Sequence, residues 1–458
     1  MDLPITAEFV EKYNQPGPRY TSYPTVPAWK QEFGANEYLL ALQELSSKPD
    51  DELAIYLHLP FCAKHCHYCG CTAIMAKKKD SVDEYLDLVQ QEIKLVTDVI
   101  GTRRKVAHLH WGGGTPNFLN EVQTERALNL FRNAFDFTTD AELSIEVDPR
   151  ISSPEQAKFL SQLGFNRISL GVQDFEESVQ IAIGRRQSHD RTIRVYDGCR
   201  DAGFAGVNID LVYGLPGQTR ESFTATLNEI IGLQPDRVAC FSYAHVPWVR
   251  PEQNKVDTTI MLAGFEKFQL FQLTVDLFGE ADYDWIGIDH FAKKNDELSV
   301  ALGNRALHRN FMGYATKPAP HMLAFGMSGI GDVGDRFVQN DPNLASWSAS
   351  VSAGRLPIIK GHRLSDDDRL RRLAIINIMC NLELPWKLTV PEFGAPANEL
   401  FKESLKALPP LVDDGLVEVD ANGLRITRKG RYFVRNVAMI FDTYLGQDKD
   451  RPIFSKTI

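Results

Sequence analysis

What is scarce in this chain narrows its role before any motif is read. Positive charge is in deficit: 50 Lys and Arg stand against 60 Asp and Glu, a formal net charge of −10. A phosphate-rich surface attracts the opposite sign, so broad binding to nucleic acid or to an anionic membrane is not expected. No run of about 18 apolar residues occurs, so no membrane span is expected. The first 20 residues carry neither a basic n-region nor an apolar h-region, and no export signal is read there. Cysteine is sparse. Of seven in 458 residues, four fall within 62–71, while Cys199, Cys240 and Cys380 are scattered. An odd, unevenly spaced set without an export signal points to a reducing, cytoplasmic compartment rather than to a disulfide framework. The scattered three read as buried apolar fillers. Internal repeats, low-complexity tracts and a dinucleotide-binding fingerprint are also missing.

What is there is ample material for a core, with 43% apolar residues. Short β-type runs at 54–59, 106–111, 143–147, 167–171, 206–212 and 237–243 alternate with helical patterns near 81–99, 121–134, 154–163, 189–202 and 220–232. This alternation predicts parallel βαβ units, an α/β chain with a partial (β/α)6 TIM-like barrel. Cys62, Gly112-Gly113-Gly114, Glu146, Gln173, Asp210 and Ala244 all fall at or just after the carboxyl end of an expected strand. In an α/β barrel that is the face on which sites are built.

The flanks divide the chain further. Residues 1–50 carry turn signals and one helical stretch around 35–45, an arm laid over the body. Residues 51–355 hold the barrel and an extension, with a long helix at 258–278, a strand-like 283–288 and a Gly-rich 326–334. Residues 356–458 are expected to be mostly helical and winged-helix-like. They include strands at 415–419 and 424–427 about Asn422-Gly423, then a helix at 433–444. Without a dense basic face, a lid or structural role fits this segment better than DNA binding.

The stretch from Cys62 to Cys71 carries the strongest signal. Cys62, Cys66 and Cys69 follow a C-x3-C-x2-C spacing with an aromatic residue, Tyr68, before the last. Such a loop can set three thiolates on three corners of an iron-sulfur cubane, and a complete protein-only set needs four. Three ligands leave one iron open, as catalytic metal sites do. Cys71 is the obvious fourth candidate, but positions two apart on an extended chain stand about 6–7 Å from each other. Support beside the cluster is therefore as plausible as ligation. Structural zinc is the bland alternative. It normally takes a second knuckle after a long spacer, and none is present.

The cysteine motif is that of the radical S-adenosylmethionine (SAM) enzymes. With Cys69-Gly70-Cys71-Thr72 and the upstream Pro18-Arg19-Tyr20-Thr21-Ser22-Tyr23-Pro24-Thr25, the chain resembles the oxygen-independent coproporphyrinogen III oxidases. The likeness runs on through His110-Trp111-Gly112-Gly113-Gly114-Thr115-Pro116, Ser144-Ile145-Glu146-Val147-Asp148-Pro149, Gly171-Val172-Gln173-Asp174 and Tyr213-Gly214-Leu215-Pro216 to Phe441-Asp442-Thr443-Tyr444-Leu445. The resemblance implies a 4Fe-4S cluster on Cys62, Cys66 and Cys69, and two molecules of SAM. Tyr56, Gly113, Glu146 and Ile330 would meet the first. Gly114, Thr115, Gln173, Arg185 and Ala244 would meet the second, with Tyr68 and Asp210 as further cofactor contacts. Cys71, Tyr56 and His58 are the candidate catalytic residues, although a lone His on a strand is as readily a core residue. Arg19 and Tyr20 could hold a propionate, since guanidinium binds carboxylate bidentately. An arm tied down by its own salt bridge is the competing reading, and Arg309 is a weaker candidate of the same kind. Met312 departs from the glutamine that some members carry.

The activity implied is anaerobic oxidative decarboxylation. A 5′-deoxyadenosyl radical takes a hydrogen from the β-carbon of a propionate, CO2 leaves, and an external acceptor takes the remaining electron. Two propionates of coproporphyrinogen III become vinyl groups, giving protoporphyrinogen IX. The partners implied are the porphyrinogen, a low-potential electron donor and an electron acceptor, with the chain acting as a monomer. The cofactor carries the hard chemistry and the barrel positions it. Two alternatives share the scaffold: a haem chaperone, whose members generally lack Cys71 and the arm motif, and a methyl-transfer or ring-forming radical SAM enzyme.

Overall fold

The computed structural model describes residues 5–75, 80–316, 319–446 and 454–457. All six expected strands form: β1 (Leu53–Leu59), β2 (Lys105–Gly113), β3 (Asp136–Val147), β4 (Arg167–Gln173), β5 (Gly206–Tyr213) and β6 (Arg237–Ser242). They pair in parallel in chain order. The helices between them are Asp80–Ile100, Glu121–Ala134, Pro154–Gln162, His189–Asp201 and Arg220–Leu233. Their starts are set by side-chain caps. Ser153 accepts from the Gln156 amide and Thr219 from that of Ser222, satisfying donors that the first helical turn leaves free.

The sheet is wider than six strands. β7 (Tyr283–Ile286), β8 (His290–Lys293), β9 (His321–Phe325), β10 (Ile330–Val333), β11 (Arg336–Asn340) and β12 (Ile358–Arg363) extend it on both sides, in the order β12-β11-β10-β9-β1-β2-β3-β4-β5-β6-β8-β7. β9 is parallel to β1, whereas β10, β11 and β12 continue as an antiparallel meander. On the other side β8 runs antiparallel to β6, and β7 to β8. The core lies between this sheet and its helices, with Leu57, Leu109, Trp111, Leu170 and Leu211 fully buried.

The extension and the C-terminal segment need correction. The helix expected at 258–278 begins at Gly264 and runs to Glu280, after a separate 3-10 turn at Thr258–Ile260. The strand expected at 283–288 ends at Ile286, where Gly287 takes φ +59°. The Gly-rich 326–334 contains β10. Ile358–Arg363 is the edge strand of the main sheet, so a boundary at 356 would sever it from β11. The helical layer starts instead at Asp366–Asn381, capped by Ser365. A three-stranded sheet of Glu383–Pro385, Gly423–Ile426 and Val417–Val419 follows. The helix expected at 433–444 is only Val434–Met439.

The arm is integral to the fold. Tyr13, Tyr20 and Tyr23 are buried in one cluster with Phe268, Ile378, Phe433 and Phe441, so arm, barrel extension and C-terminal layer share a core. Helix Ala35–Ser46 packs on Asp80–Ile100. Just after that helix, Arg104 donates to three main-chain carbonyls, those of Leu45 (2.8 Å), Lys48 (2.5 Å) and Asp51 (2.8 Å), and is 1% exposed. Removing the guanidinium takes a donor from the Leu45 carbonyl in a buried place. Arg104→Met is expected to lower unfolding stability by about 2 kcal/mol. Equilibrium denaturant unfolding followed by far-UV circular dichroism measures this, and an unshifted midpoint would contradict it.

Candidate active site

The cysteine loop leaves the end of β1 and is held from four sides. Phe61–Cys62 pairs with Ile74–Met75, and the Ile74 amide donates to the Pro60 carbonyl at 2.7 Å. The His67 amide donates to the Ile183 carbonyl (2.8 Å). Arg250 Nε donates to the Gly70 carbonyl (2.7 Å) and Gln253 Nε2 to that of Tyr68 (2.9 Å). From the neighbouring strand β2, the Gly114 amide donates to the Leu59 carbonyl (2.8 Å) and the Thr115 amide to that of Phe61 (2.9 Å). Thr115 Oγ1 then lies 3.3 Å from Cys62 Sγ. Glycine is required at 114 by this proximity, because a Cβ there would stand 2.5 Å from the Pro60 oxygen.

The loop forms one wall of a cavity of about 500 Å³. Cys62, Cys66, Cys69 and Cys71 line it together with Tyr68, Gly113, Gly114, Thr115, Glu146, Gln173, Arg185, Asp210 and Ala244. Several residues named from the sequence do not. Tyr56 faces the barrel interior, stacked on His110 with ring centroids 5.9 Å apart. Its hydroxyl is 3.1 Å from Nδ1 of His58, whose Nε2 is 2.9 Å from the Thr72 carbonyl. His58 is thus buried beneath the loop and supports its far end. Ile330 packs beside Trp29, Phe337 and Leu364. Tyr20 turns away as well, its hydroxyl donating to Asp442 at 2.9 Å. Cys71 is exposed, and its amide donates to Cys69 Sγ at 3.4 Å.

The donor set can be tested against the expected cluster. Among the described residues, no three His, Cys, Asp or Glu side chains converge as ligands of one ion. A tetrahedral zinc site gathers its ligands about a single centre, and these thiols are not so gathered. A cubane takes each thiolate on a different iron, so its ligands need not converge on one point, and all three thiols line the same cavity. The local charge also fits. Arg150 Nη2 and Arg185 Nη1 each lie 3.6 Å from Cys66 Sγ, and Asp148 joins the two guanidinium groups, with Arg150 at 2.6 Å and Arg185 at 3.2 Å. Two cations against one carboxylate leave net positive charge beside this sulfur, which suits an anionic cluster. Burial pushes the Cys62 thiol up to about 11, and a coordinated cation reverses that preference.

The inner barrel wall is polar where a hydrophobic core would be expected. Register places His110 beside Ser144, Glu146 beside Ser169, and Ser169 beside Asn208. His110 Nδ1 is 2.7 Å from Ser144 Oγ, and its Nε2 is 3.3 Å from Glu146 Oε1. Asp210 accepts from Ser169 (2.9 Å) and Asn208 (2.7 Å). Burial, with Glu146 nearby, pushes the Asp210 carboxyl up to about 6. Gln173 takes φ +72° where the register between β4 and β5 shifts, which turns it into the cavity. Asp148, Arg150, Arg250 and Gln253 were missed as site residues. Asp148 and Arg150 sit at a strand end, a signal that was there to use. Gln253 and Arg250 reach the loop from far along the chain, and only folding reveals them.

A three-cysteine loop at the carboxyl end of the first strand of a partial parallel barrel, opening on a cavity that holds carboxylates and guanidinium groups, defines the class of radical SAM enzymes. The family model described as Radical SAM superfamily matches residues 56–230, and the one described as HemN C-terminal domain matches 364–433. The oxygen-independent coproporphyrinogen III oxidase of Escherichia coli (strain K12) is 40% identical over 449 residues, covering 98% of this chain and 97% of that one. That of Synechocystis sp. is 40% identical over 458 residues, covering 99% and 98%. The solved structure of coproporphyrinogen III oxidase (HemN) from Escherichia coli superposes with a TM-score of 0.89, covering 93% of this chain and 98% of that one. The chain belongs to the oxygen-independent coproporphyrinogen III oxidase family, whose members use a 4Fe-4S cluster and SAM.

Two substitutions probe this geometry. Gly114→Ala should displace the cysteine loop, so the purified protein is expected to keep its circular dichroism while losing most of its iron. Full iron content would contradict the contact. Asp210→Asn tests the raised carboxyl. With a folded value above the unfolded one near 3.9, ionisation costs stability as pH rises from about 4 to 6. The variant is therefore expected to be more stable than the parent at neutral pH, by at most roughly 2 kcal/mol, with the gain vanishing below about pH 4. Thermal unfolding of cluster-free protein at the two ends of that range reads the difference.

Proposed function

We propose that this chain decarboxylates two propionate side chains of coproporphyrinogen III to vinyl groups without oxygen, yielding protoporphyrinogen IX and CO2. The observation that supports this most is one cavity bringing together the three thiols, the Gly113-Gly114-Thr115 turn and the carboxylates of Glu146 and Asp210. When bound, the cluster and SAM supply a radical oxidant strong enough to take hydrogen from an unactivated C–H bond, which no side chain can do.

The chain's own residues bind and orient. Cys62, Cys66 and Cys69 hold the metal, and Asp148 fixes Arg150 and Arg185 beside Cys66. Glu146 and Asp210 present acceptors to the amino and hydroxyl groups of SAM. Two SAM molecules suit the site: Gly113 and Glu146 on the lining, with Tyr56 and Ile330 off it, would serve the first, and Gly114, Thr115, Gln173, Arg185 and Ala244 the second. Tyr68 is held by Gln253 at the loop's centre. Cys71, exposed beside Cys69, acts toward the substrate in this reading and need not ligate. His58 is a positioning residue for the loop. A low-potential donor supplies the electron that SAM cleavage consumes, a separate acceptor takes the different electron left on the substrate when CO2 departs, and the chain works as a monomer in the cytoplasm. All seven cysteines are free, as a reducing compartment requires. No helix among the described residues is long and apolar enough to cross a membrane.

The test is an anaerobic assay of reconstituted protein with coproporphyrinogen III, SAM and a low-potential reductant. CO2 release with a divinyl product is expected. Stable haem binding without turnover, or methylated product from labelled SAM, would overturn the reading. Cys71→Ser is expected to retain the full iron complement while turnover falls at least about tenfold. Loss of iron would instead make Cys71 a ligand.

A further inference from the structure

Across the cavity from the cysteine loop, Arg19 projects from the arm into the wall formed by Ser242, Tyr243 and Ala244. Buried groups hold its backbone there. Arg435, 6% exposed, donates only to main-chain carbonyls: Nε to Pro18 (2.8 Å), Nη2 to Gly17, and Nη1 to Thr457 (3.1 Å) and Lys456 (3.3 Å). Arg309 Nη1 donates to the Arg19 carbonyl (2.8 Å), its guanidinium 5.0 Å from the Tyr314 ring centroid. Tyr20, at φ +49°, is tied to Asp442.

The guanidinium of Arg19 is itself weakly used. Nη2 donates to the Ser242 carbonyl at 2.8 Å, whereas Nη1 stands 3.6 Å from Asp289 Oδ2. Asp289 is engaged more closely by His290, at 2.7 Å. A guanidinium carries five N–H donors in a fork matched to a carboxylate, and most of this fork has no protein partner. The surroundings hold an excess of positive charge. Lys267, whose Nζ donates to the Tyr243 carbonyl at 2.9 Å, is pushed down to about 7 by burial and by Arg19 and Arg435. Against the guanidinium groups of Arg19, Arg309 and Arg435 stand the carboxylates of Asp289 and Asp442, the second accepting from Tyr20. Such an excess, in a chain of net charge −10, calls for an anion at its open side. At the cysteine end, Arg150 and Arg185 already have Asp148 and a sulfur.

We propose that Arg19, preset by Arg435 and Arg309 and backed by Lys267, is the anchor for a substrate carboxylate other than the one that leaves. The inference rests on the proposed reaction, whose substrate carries four propionates. Arg19 thereby sets which side chain reaches the cluster side, and it acts on binding rather than on bond breaking. Equilibrium binding of coproporphyrin III, a fluorescent and stable tetracarboxylate, is compared with that of its tetramethyl ester in the parent protein, Arg19→Ala and Arg19→Lys. The parent is expected to prefer the acid by about 30-fold, Arg19→Ala to lose most of that preference and Arg19→Lys to keep part of it. In turnover, Arg19→Ala is expected to raise KM about 30-fold with kcat within about threefold. Iron content equal to the parent shows a folded variant, and Arg19→Gln, which can keep the Ser242 bond, serves if Arg19→Ala does not fold. A variant that binds and turns over like an active parent overturns this inference alone. A parent that binds no tetracarboxylate overturns it together with the proposed reaction.

Discussion

The site depends on two main-chain hydrogen bonds that continue the β1–β2 pairing beyond the sheet. Gly114 and Thr115 donate to the carbonyls of Leu59 and Phe61, so the glycine turn and the cysteine loop form one unit. Because a parallel ladder sets register along its whole length, Cys62 is placed by the same interactions that build the core. The cost is space. At 114 a side chain would meet the Pro60 oxygen, and at 113 it would strike the His58 ring. The glycines therefore follow from backbone proximity before any ligand is considered. His58, which is not part of the lining of the cysteine cavity, acquires a role as the underside of the same unit.

Charge is arranged against the chain's overall sign. An acidic protein has buried several arginines around its cavity, each held by a carboxylate or by backbone carbonyls. Near Cys66, Asp148 balances two guanidinium groups and keeps them pointed at sulfur. At the opposite wall Arg435 and Arg309 hold the arm by its carbonyls, leaving Arg19 most of its donors. Buried cations without full compensation are expensive, so their persistence in both places marks where anionic groups belong. Carboxylates occupy the space between, with Asp210 raised by its seclusion and by Glu146. Binding capacity has been set above local stability there.

Much of this was legible along the chain because it is local. Six strands and their helices follow from period and punctuation. The cysteine spacing, the glycine run and the carboxylates at strand ends announced a site on one face of a barrel. Less legible was anything resting on distant pairing. β9 reads as an ordinary apolar stretch, and only its docking against β1 makes it a seventh parallel strand. Ile358–Arg363 looks like the beginning of a helical segment until β11 claims it. Gln253 and Arg250 have no motif, yet they clasp the cysteine loop across nearly 200 residues of chain.

The amino-acid sequence by itself determined the class of chemistry, since three thiols at C-x3-C-x2-C spacing and carboxylates closing apolar strands carry their meaning in residue type and interval. The tertiary structure alone decided which of the named residues share a cavity. It set Gln173 and Asp210 inside it, moved Ile330 and Tyr20 away, and turned Arg19 toward it. The physical reason is that a side chain's direction depends on register, bulges and the packing of segments hundreds of residues apart. Those are properties of the assembled sheet, and no interval along the chain encodes them.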